Sequence, residues 1–198
     1  MKHATSRMLF AYWDALRGQR AAPERRDIDP GEIRHILADS FILETEPHGA
    51  ACIRLAGTRL CALFGRELKG SPLHELWPQA GREEIRHFIE IVSDETAGVV
   101  AGLVGLTPEG ATLELEMLLL PLRHSGQTHS RILGVMSPML VPPWLGLHAL
   151  DCLETASLRV IWPSGRARQE WRRIETPADK RRQFVLHQGG RVSDREPA

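Results

Sequence analysis

The strand-like segment "TLELEMLLLPL", residues 112–122, constrains the fold more than any other part of the chain. Its first half alternates Leu with Glu, which is the period of a strand with one apolar and one polar face. From Met117 onward both faces are apolar, as is typical of a strand that is covered on both sides. The sheet that contains this strand therefore needs a second cover over part of its outer face.

The N-terminal segment is the predicted cover. Apolar residues recur at helical spacing over residues 5–17, and Gly18 follows as a natural stop. We expect this helix to lie on the outer face near Leu118 and Leu120, within its own chain or across a homodimer, and we expect a homodimer. A two-sided core without a regulated interface is the simpler alternative. The predicted stripe consists of Met8, Leu9, Tyr12, Trp13 and Leu16.

The following segments predict a strand pair interrupted by short helices. Asp29-Pro30 predicts the start of a short helix over 30–37. Segments 39–46 and 50–56 predict two antiparallel strands joined at His48-Gly49. Residues 58–77 break into short helical turns rich in Leu, Phe and Trp.

The second half of the chain predicts one long helix and then strands. The helix over 81–98 places apolar residues on one face. Strands are expected at 99–106, 111–123 and 131–140, and the tail holds strand-like pieces at 156–162 and 183–191.

This element order predicts an α+β fold. We expect a five-stranded antiparallel sheet with short helices on one face, an N-terminal helix and a C-terminal extension. The expected division is an N-terminal helix and connector at 1–28, a core at 29–140, and an extension at 141–198 that carries a basic segment.

Several segments resemble a bacterial PAS-like domain family. The resemblance is carried by "YWDALRGQRAAPERRDIDPGEI", "FILE", "IRLAGTRLCALFGRELKG" and "RILGVMSP", and it extends from about Met8 to Trp162. It implies a sensory or interaction module that often holds a small molecule between its sheet and its short helices. The family offers no set of catalytic residues to transfer to this chain.

A pocket, or a tightly filled remnant of one, is therefore expected between the sheet and the broken helices. Arg54 and Arg59 are the nearest candidates for polar anchors, and solvated side chains are the alternative for both. The predicted lining is apolar and comes from every element that faces inward: Leu60, Phe64, Leu76, Trp77, Phe88, Val92, Leu115, Met117 and Val135.

We expect neither haem nor flavin in this chain, and no metal. His87 lies roughly 100° to 200° away from the apolar face of its helix, so we interpret it as a solvated or rim residue. Cys61 lies in an apolar setting in a chain that lacks Asn, so an inert thiol fits better than a flavin-reactive one. His124 and His129 flank a loop tip without a nearby carboxylate or thiol, which favours solvated side chains.

Composition limits the partners and the compartment. The net charge is zero, so nothing attracts the whole chain to nucleic acid or to an anionic membrane. Acidic residues interleave with the basic ones of the tail, which favours a solvated helix face over an anion-binding site. No apolar run is long enough for a membrane helix, no signal-peptide layout is visible, and three cysteines suit a reducing cytoplasm.

The sequence leaves three functions open. The first is a non-enzymatic sensory or regulatory module that binds a small molecule or an unidentified signalling protein. The second is a pure interaction module with a filled core. The third is a small-molecule enzyme of unknown type, for which the sequence offers no nucleophile, acid–base pair or known enzyme motif.

Overall fold

The computed structural model describes residues 1–45, 51–124 and 127–162, without the side chains of 127–129. In this part of the chain three α-helices accompany six strands. The helices are α1 (Ala4–Arg17), α2 (Thr58–Leu63) and α3 (Arg82–Asp94). The strands are β1 (Ser40–Thr45), β2 (Ala51–Ala56), β3 (Gly98–Leu106), β4 (Thr112–His124), β5 (Gln127–Pro138) and β6 (Cys152–Ile161). Short 3-10 helices span Arg25–Asp27, Leu37–Asp39, Leu73–Leu76 and Gln79–Gly81.

All described strands belong to one antiparallel sheet with the order β2-β1-β5-β4-β3-β6. The predicted α+β fold is confirmed, with one difference in strand count. β6 lies in the expected C-terminal extension, yet it pairs with β3 along its length and becomes an edge of the sheet. Many of its side chains are exposed, so its apolar pattern is weaker than that of the inner strands.

A tight turn over "TPEG", residues 107–110, joins β3 to β4, the two strands expected at 99–106 and 111–123. The Thr107 amide donates to the Ala111 carbonyl at 2.9 Å, and Gly110 has a φ of 87°, a conformation that favours glycine. β1 and β2 pair antiparallel as expected. Their predicted turn at His48-Gly49, the strand-like piece at 183–191 and the basic segment lie outside the described residues.

The predicted helix over 30–37 is wrong. This segment is a series of turns closed by i→i+3 hydrogen bonds, from the Glu32 amide to the Asp29 carbonyl and from the Ile36 amide to the Ile33 carbonyl. The Asp29 carboxylate also accepts from the Gly31 amide at 2.8 Å. This is the bond that an N-cap residue makes at a helix start, but the backbone bonds that follow are of the i→i+3 type and do not extend the turn into an α-helix.

The sheet separates two apolar clusters, as the pattern of β4 required. Leu115, Met117 and Leu119 face the cluster under α2 and α3, which we call the inner cluster. Leu118 and Leu120 face the cluster under α1 and under residues 18–39, which join α1 to β1 and are called the connector from here on; this is the outer cluster. All five are at most 2% exposed, so both faces of β4 are covered.

Candidate functional site

The inner cluster contains eight of the nine residues predicted to line a pocket. Leu60 and Phe64 come from α2 and its end, and Phe88 and Val92 come from α3. All eight are at most 5% exposed. The structure therefore places these eight residues together. They are Leu60, Phe64, Leu76, Trp77, Phe88, Val92, Leu115 and Met117.

The inner cluster is filled by its own side chains. A cavity large enough for a ligand would leave the surrounding side chains accessible, whereas Trp77 and Phe88 are each 1% exposed. Gly134 of β5 makes room for an aromatic ring, because a Cβ at that position would lie 2.3 Å from Cζ of Phe41. Of the two expected forms, pocket or filled remnant, this packing corresponds to the second.

Val135 lies on the opposite face from its predicted position. It is paired in register with Leu118, and both belong to the outer cluster. Met136, the next residue, pairs with Met117 in the inner cluster. β5 is apolar on both faces, so its sequence did not show which parity points inward.

Neither arginine predicted as an anchor is placed to act inside the inner cluster. Arg54 is 62% exposed at a register shift between β1 and β2, and its Nη1 lies 3.1 Å from Oε2 of Glu44. Arg59 is 45% exposed, and its Nη1 donates to Oδ2 of Asp39 at 2.6 Å. Burial raises the pKa of the Asp39 carboxyl, and the charge of Arg59 opposes that rise.

Two polar side chains that the sequence did not indicate, Glu84 of α3 and Thr155 of β6, lie where α3 approaches β6. The indole Nε1 of Trp77 donates to Oγ1 of Thr155 at 3.3 Å. Burial raises the pKa of the Glu84 carboxyl, and a hydrogen bond with the Thr155 side chain opposes that rise. The sequence did not indicate this contact because it did not show that β6 pairs with β3. Only that pairing places Thr155 beside α3.

On the outer face, a buried carboxylate holds the beginning of α1. Glu116 of β4 is 5% exposed and accepts from the backbone amides of Lys2 at 2.6 Å and His3 at 3.0 Å. Burial alone would raise the pKa of Glu116, but these amide donors outweigh it and the pKa lies below its usual value. The free amides at the start of a helix favour a negative charge there.

The stripe of α1 covers the sheet within its own chain. Leu9 and Trp13 are buried, and Trp13 Nε1 donates to the Pro121 carbonyl at 2.8 Å. Tyr12 and Leu16 are partly buried against the outer cluster, whereas Met8 is 46% exposed. The predicted cover over Leu118 and Leu120 is thus present in one chain, and the homodimer stays a prediction.

A small cleft opens on the outer face beside α1. It lies between the connector, represented by Ile28, Pro30 and Ile33, and the ends of β1 and β2, represented by Ile42 and Leu55. Its volume is about 120 Å³. No sequence pattern indicates this cleft, because it depends on the turn geometry of residues 30–37.

The sequence comparison decides the family once this architecture is known. A family model described as PAS domain matches residues 1–137, which extend from α1 through nearly all of β5. The chain belongs to the PAS domain family. PAS domains are sensory modules that typically bind small molecules or partners, often mediate dimerisation and generally lack enzymatic activity.

Comparisons with solved structures return further PAS and light-oxygen-voltage domains. One, from work titled "Flavin Analogue Sheds Light on Light-Oxygen-Voltage Domain Mechanism", is 13% identical, with 56% of this chain and 83% of that chain covered at a TM-score of 0.45. A PAS domain of a protein from Colwellia psychrerythraea is 18% identical over 56% of this chain and 98% of that chain, with a TM-score of 0.40. Among curated proteins, no sequence matches this chain.

Two residues considered for cofactors can be placed in this PAS domain. The His87 side chain is 43% exposed, with Nδ1 3.6 Å from Oε2 of Glu90, so its interpretation as a rim residue is confirmed. Cys61 is partly buried and its Sγ lies 3.7 Å from Oε1 of Glu67. The expectation of no haem and no flavin stays a prediction.

The described part of the chain contains neither a metal-binding cluster nor a helix that could span a membrane. No group of three or more His, Cys, Asp or Glu there has an arrangement that could hold a metal ion. His124 is exposed, and the side chain of His129 lies outside the described set. Within the same residues, every helix is too short or too polar to cross a membrane.

Proposed function

We propose that this PAS domain is a non-enzymatic regulatory module that acts by binding a signalling protein, with its interior filled by its own side chains. The observation that carries the proposal is the packing of the inner cluster, where Phe64, Trp77 and Phe88 are at most 5% exposed. A small molecule of ordinary size needs roughly 300 Å³ or more, which here would require aromatic side chains to leave the core.

The polar groups near the inner cluster support the same proposal. Ligand pockets combine apolar walls with a few polar groups that orient the ligand. Here the Trp77 indole already donates to Thr155, and the exposed side chains of Arg54 and Arg59 are paired with carboxylates. An incoming ligand would have to break these contacts to gain a polar anchor.

A second candidate, a sensor that admits a small molecule into the inner cluster, is favoured by the short elements of its wall. α2 has six residues, and Leu73–Leu76 and Gln79–Gly81 are single 3-10 turns. Short elements hold few internal hydrogen bonds and open at low free-energy cost. This candidate predicts that a ligand stays bound through gentle purification.

Native mass spectrometry of the full chain separates the two candidates. We expect the mass of the polypeptide alone, in one or two copies, and a flat visible spectrum in protein that was expressed with haem and flavin precursors. A small molecule that leaves only on denaturation would contradict the proposal. A Soret band that vanished in His87→Ala would contradict both the proposal and the expected absence of haem.

The compartment and assembly are part of this proposal. The three cysteines, Cys52, Cys61 and Cys152, are thiols and not disulfides, which suits a reducing cytoplasm. A homodimer is expected because PAS domains often dimerise. Sedimentation of the full chain at several concentrations measures that assembly directly.

A further inference from the structure

We propose that the cleft on the outer face, here called the outer cleft, is the docking site for a partner segment that presents one large apolar side chain beside a carboxylate. This inference rests on the proposed function, because it supplies the surface through which the module would bind a signalling protein. Three observations carry it: the size of the cleft, the exposure of its rim, and the charge at its edge.

The size of the outer cleft fits a side chain better than a small-molecule ligand. Its volume of about 120 Å³ is well below the roughly 300 Å³ at which small-molecule pockets begin. The walls are Ile28, Ile33 and Leu37 from the connector, and Ile42 and Leu133 come from the sheet. A single Leu or Phe of a partner would fill such a space, as anchors of protein interfaces do.

The rim of the outer cleft extends the apolar surface into solvent. Leu55 is 52% exposed and Leu37 is 37% exposed, and both line the cleft. In most of the outer cluster, by contrast, the large apolar side chains are buried by α1 or by the connector. An apolar rim around an apolar cleft excludes water from an inserted side chain, which strengthens the contribution of that side chain to the binding free energy.

The positive charge of Arg25 at the edge of the outer cleft favours a partner that carries a carboxylate beside its apolar side chain. Arg25 lines the cleft, and among the described residues no acidic side chain pairs with it. Three nearby acids have other contacts: Asp27 pairs with Arg20 at 3.0 Å, Glu24 lies 3.5 Å from Arg123, and the exposed Asp29 carboxylate accepts from the Gly31 amide at 2.8 Å. A carboxylate is the natural partner for an unpaired guanidinium, and the pair can be bidentate.

Besides Arg25, Ser40 is the polar side chain in the lining, and its hydroxyl already bonds within the protein. The Ser40 hydroxyl donates to the Ile36 carbonyl at 2.7 Å, within the protein. The guanidinium of Arg25 is thus the charged group that a partner meets in the cleft.

The outer cleft is also preorganised. The Gly57 amide donates to the Ser40 carbonyl at 2.8 Å, and a Cβ on Gly57 would lie 2.2 Å from the Leu37 carbonyl oxygen, so β2 and the connector are in direct contact. On the other side, the Asp29 amide donates to Oη of Tyr12 at 2.7 Å and ties the connector to α1. A preformed site loses less entropy when the partner binds.

The test uses three synthetic peptides of one length, titrated into the full chain and followed by protein NMR. One carries a single Leu flanked by Glu, the second carries the same Leu flanked by Lys, and the third replaces the Leu by Ala between the Glu residues. We expect the first to bind at least about tenfold more tightly than either of the others. Equal binding of all three, or tighter binding of the Lys peptide, would overturn the proposal.

Two matched variants locate the binding. Leu55→Glu should weaken the Leu–Glu peptide about tenfold or more, whereas Met8→Glu, at a comparably exposed apolar residue outside the cleft lining, should leave it unchanged. Arg25→Glu should reverse the preference toward the Lys peptide. Equal effects of the Leu55 and Met8 variants would overturn the location, and unchanged melting temperatures confirm that the variants fold.

Further measurements identify other occupants of the outer cleft. They also separate a failure of the outer cleft from a failure of the proposed function. Hexanoate that binds the cleft more tightly than the Leu–Glu peptide, with loss in Leu55→Glu, would assign the site to a small carboxylate and overturn a protein occupant. Self-association lost in Leu55→Glu would assign it to a second copy and overturn it equally. A ligand in the native mass spectrum would refute the proposed function, whereas failed peptide binding with a ligand-free spectrum would refute only the outer cleft.

Discussion

The inner and outer faces of the sheet are both covered, but by different physical means. The inner face is closed by apolar side chains of α2, α3 and the 3-10 turns, with its polar contact to Thr155 at the edge. The outer face has fewer apolar residues among those described, and it depends on a buried carboxylate, Glu116, under the start of α1. Beside it, the buried Ser137 hydroxyl has no protein partner. We therefore infer that the inner face is the stability core and that the outer face is the part that opens or binds a partner.

The largest expected effect comes from removing an inner aromatic side chain. Phe88→Ala should lower the free energy of unfolding by about 3–5 kcal/mol, because Phe88 is 1% exposed and its loss leaves a cavity. Chemical denaturation of the full chain measures this change.

Met8→Ala is the matched control on the other face. Met8 is 46% exposed on α1, so its truncation should change the free energy of unfolding by no more than about 0.5 kcal/mol. Equal effects of the two substitutions would show that the burial of Phe88 in the inner cluster does not stabilise the fold.

A smaller effect is expected from the carboxylate on the outer face. Glu116→Gln should destabilise the protein at neutral pH by about 1.5–3 kcal/mol, because charged hydrogen bonds to the amides of Lys2 and His3 are lost in a buried site. Denaturation at pH 7, together with circular dichroism of the helical signal, measures the loss.

The pH dependence of this contribution has a defined sign. The pKa of Glu116 is lowered in the folded state, so its stabilisation is fully present above the unfolded pKa of about 4.3 and is lost as pH falls through the lower folded pKa. The stability difference between wild type and Glu116→Gln should therefore shrink on acidification below about pH 4. A difference that stayed constant across this range would show that Glu116 does not act through its charge.

The main elements were predictable because their patterns are periodic. The stripe of α1, the inward face of α3 and the two-sided character of β4 follow from the spacing of apolar residues. β6 was missed as a member of the sheet because an edge strand has many exposed side chains and a weak pattern. The turns of residues 30–37 were mistaken for a helix because Asp29-Pro30 is a helix-start signal; the Asp29 side chain does bond to the Gly31 amide, but the backbone continues with i→i+3 hydrogen bonds.

The site was less predictable than the fold, since it depends on register. Val135 was misplaced because β5 is apolar at successive positions, and only its pairing with Leu118 shows which face it occupies. Arg54 lies outside the inner cluster because its neighbour Ile53 faces inward and successive residues of a strand point to opposite faces. Glu116 and the outer cleft depend on where α1 and the connector cross the sheet, and this crossing leaves no short-range sequence pattern.

Among the substitutions that remove a hydrogen bond, the smallest effect is expected where the connector meets α1. Tyr12→Phe removes one hydroxyl, which accepts from the Asp29 amide at 2.7 Å, and should cost about 0.5–1.5 kcal/mol. It should also weaken the Leu–Glu peptide at the outer cleft, because the connector forms one wall of that cleft. A titration with unchanged affinity would show that the cleft keeps its shape without this contact.

Hydrogen exchange followed residue by residue tests the central claim most directly, namely that the cover on the outer face opens separately from the core on the inner face. The account predicts that amides of α1 exchange through openings of lower free energy than amides of α3 and of central β4. Glu116→Gln should lower the opening free energy of α1 further, well beyond any change in α3. Equal opening free energies for α1 and α3 in the wild type, falling together in the variant, would contradict the account.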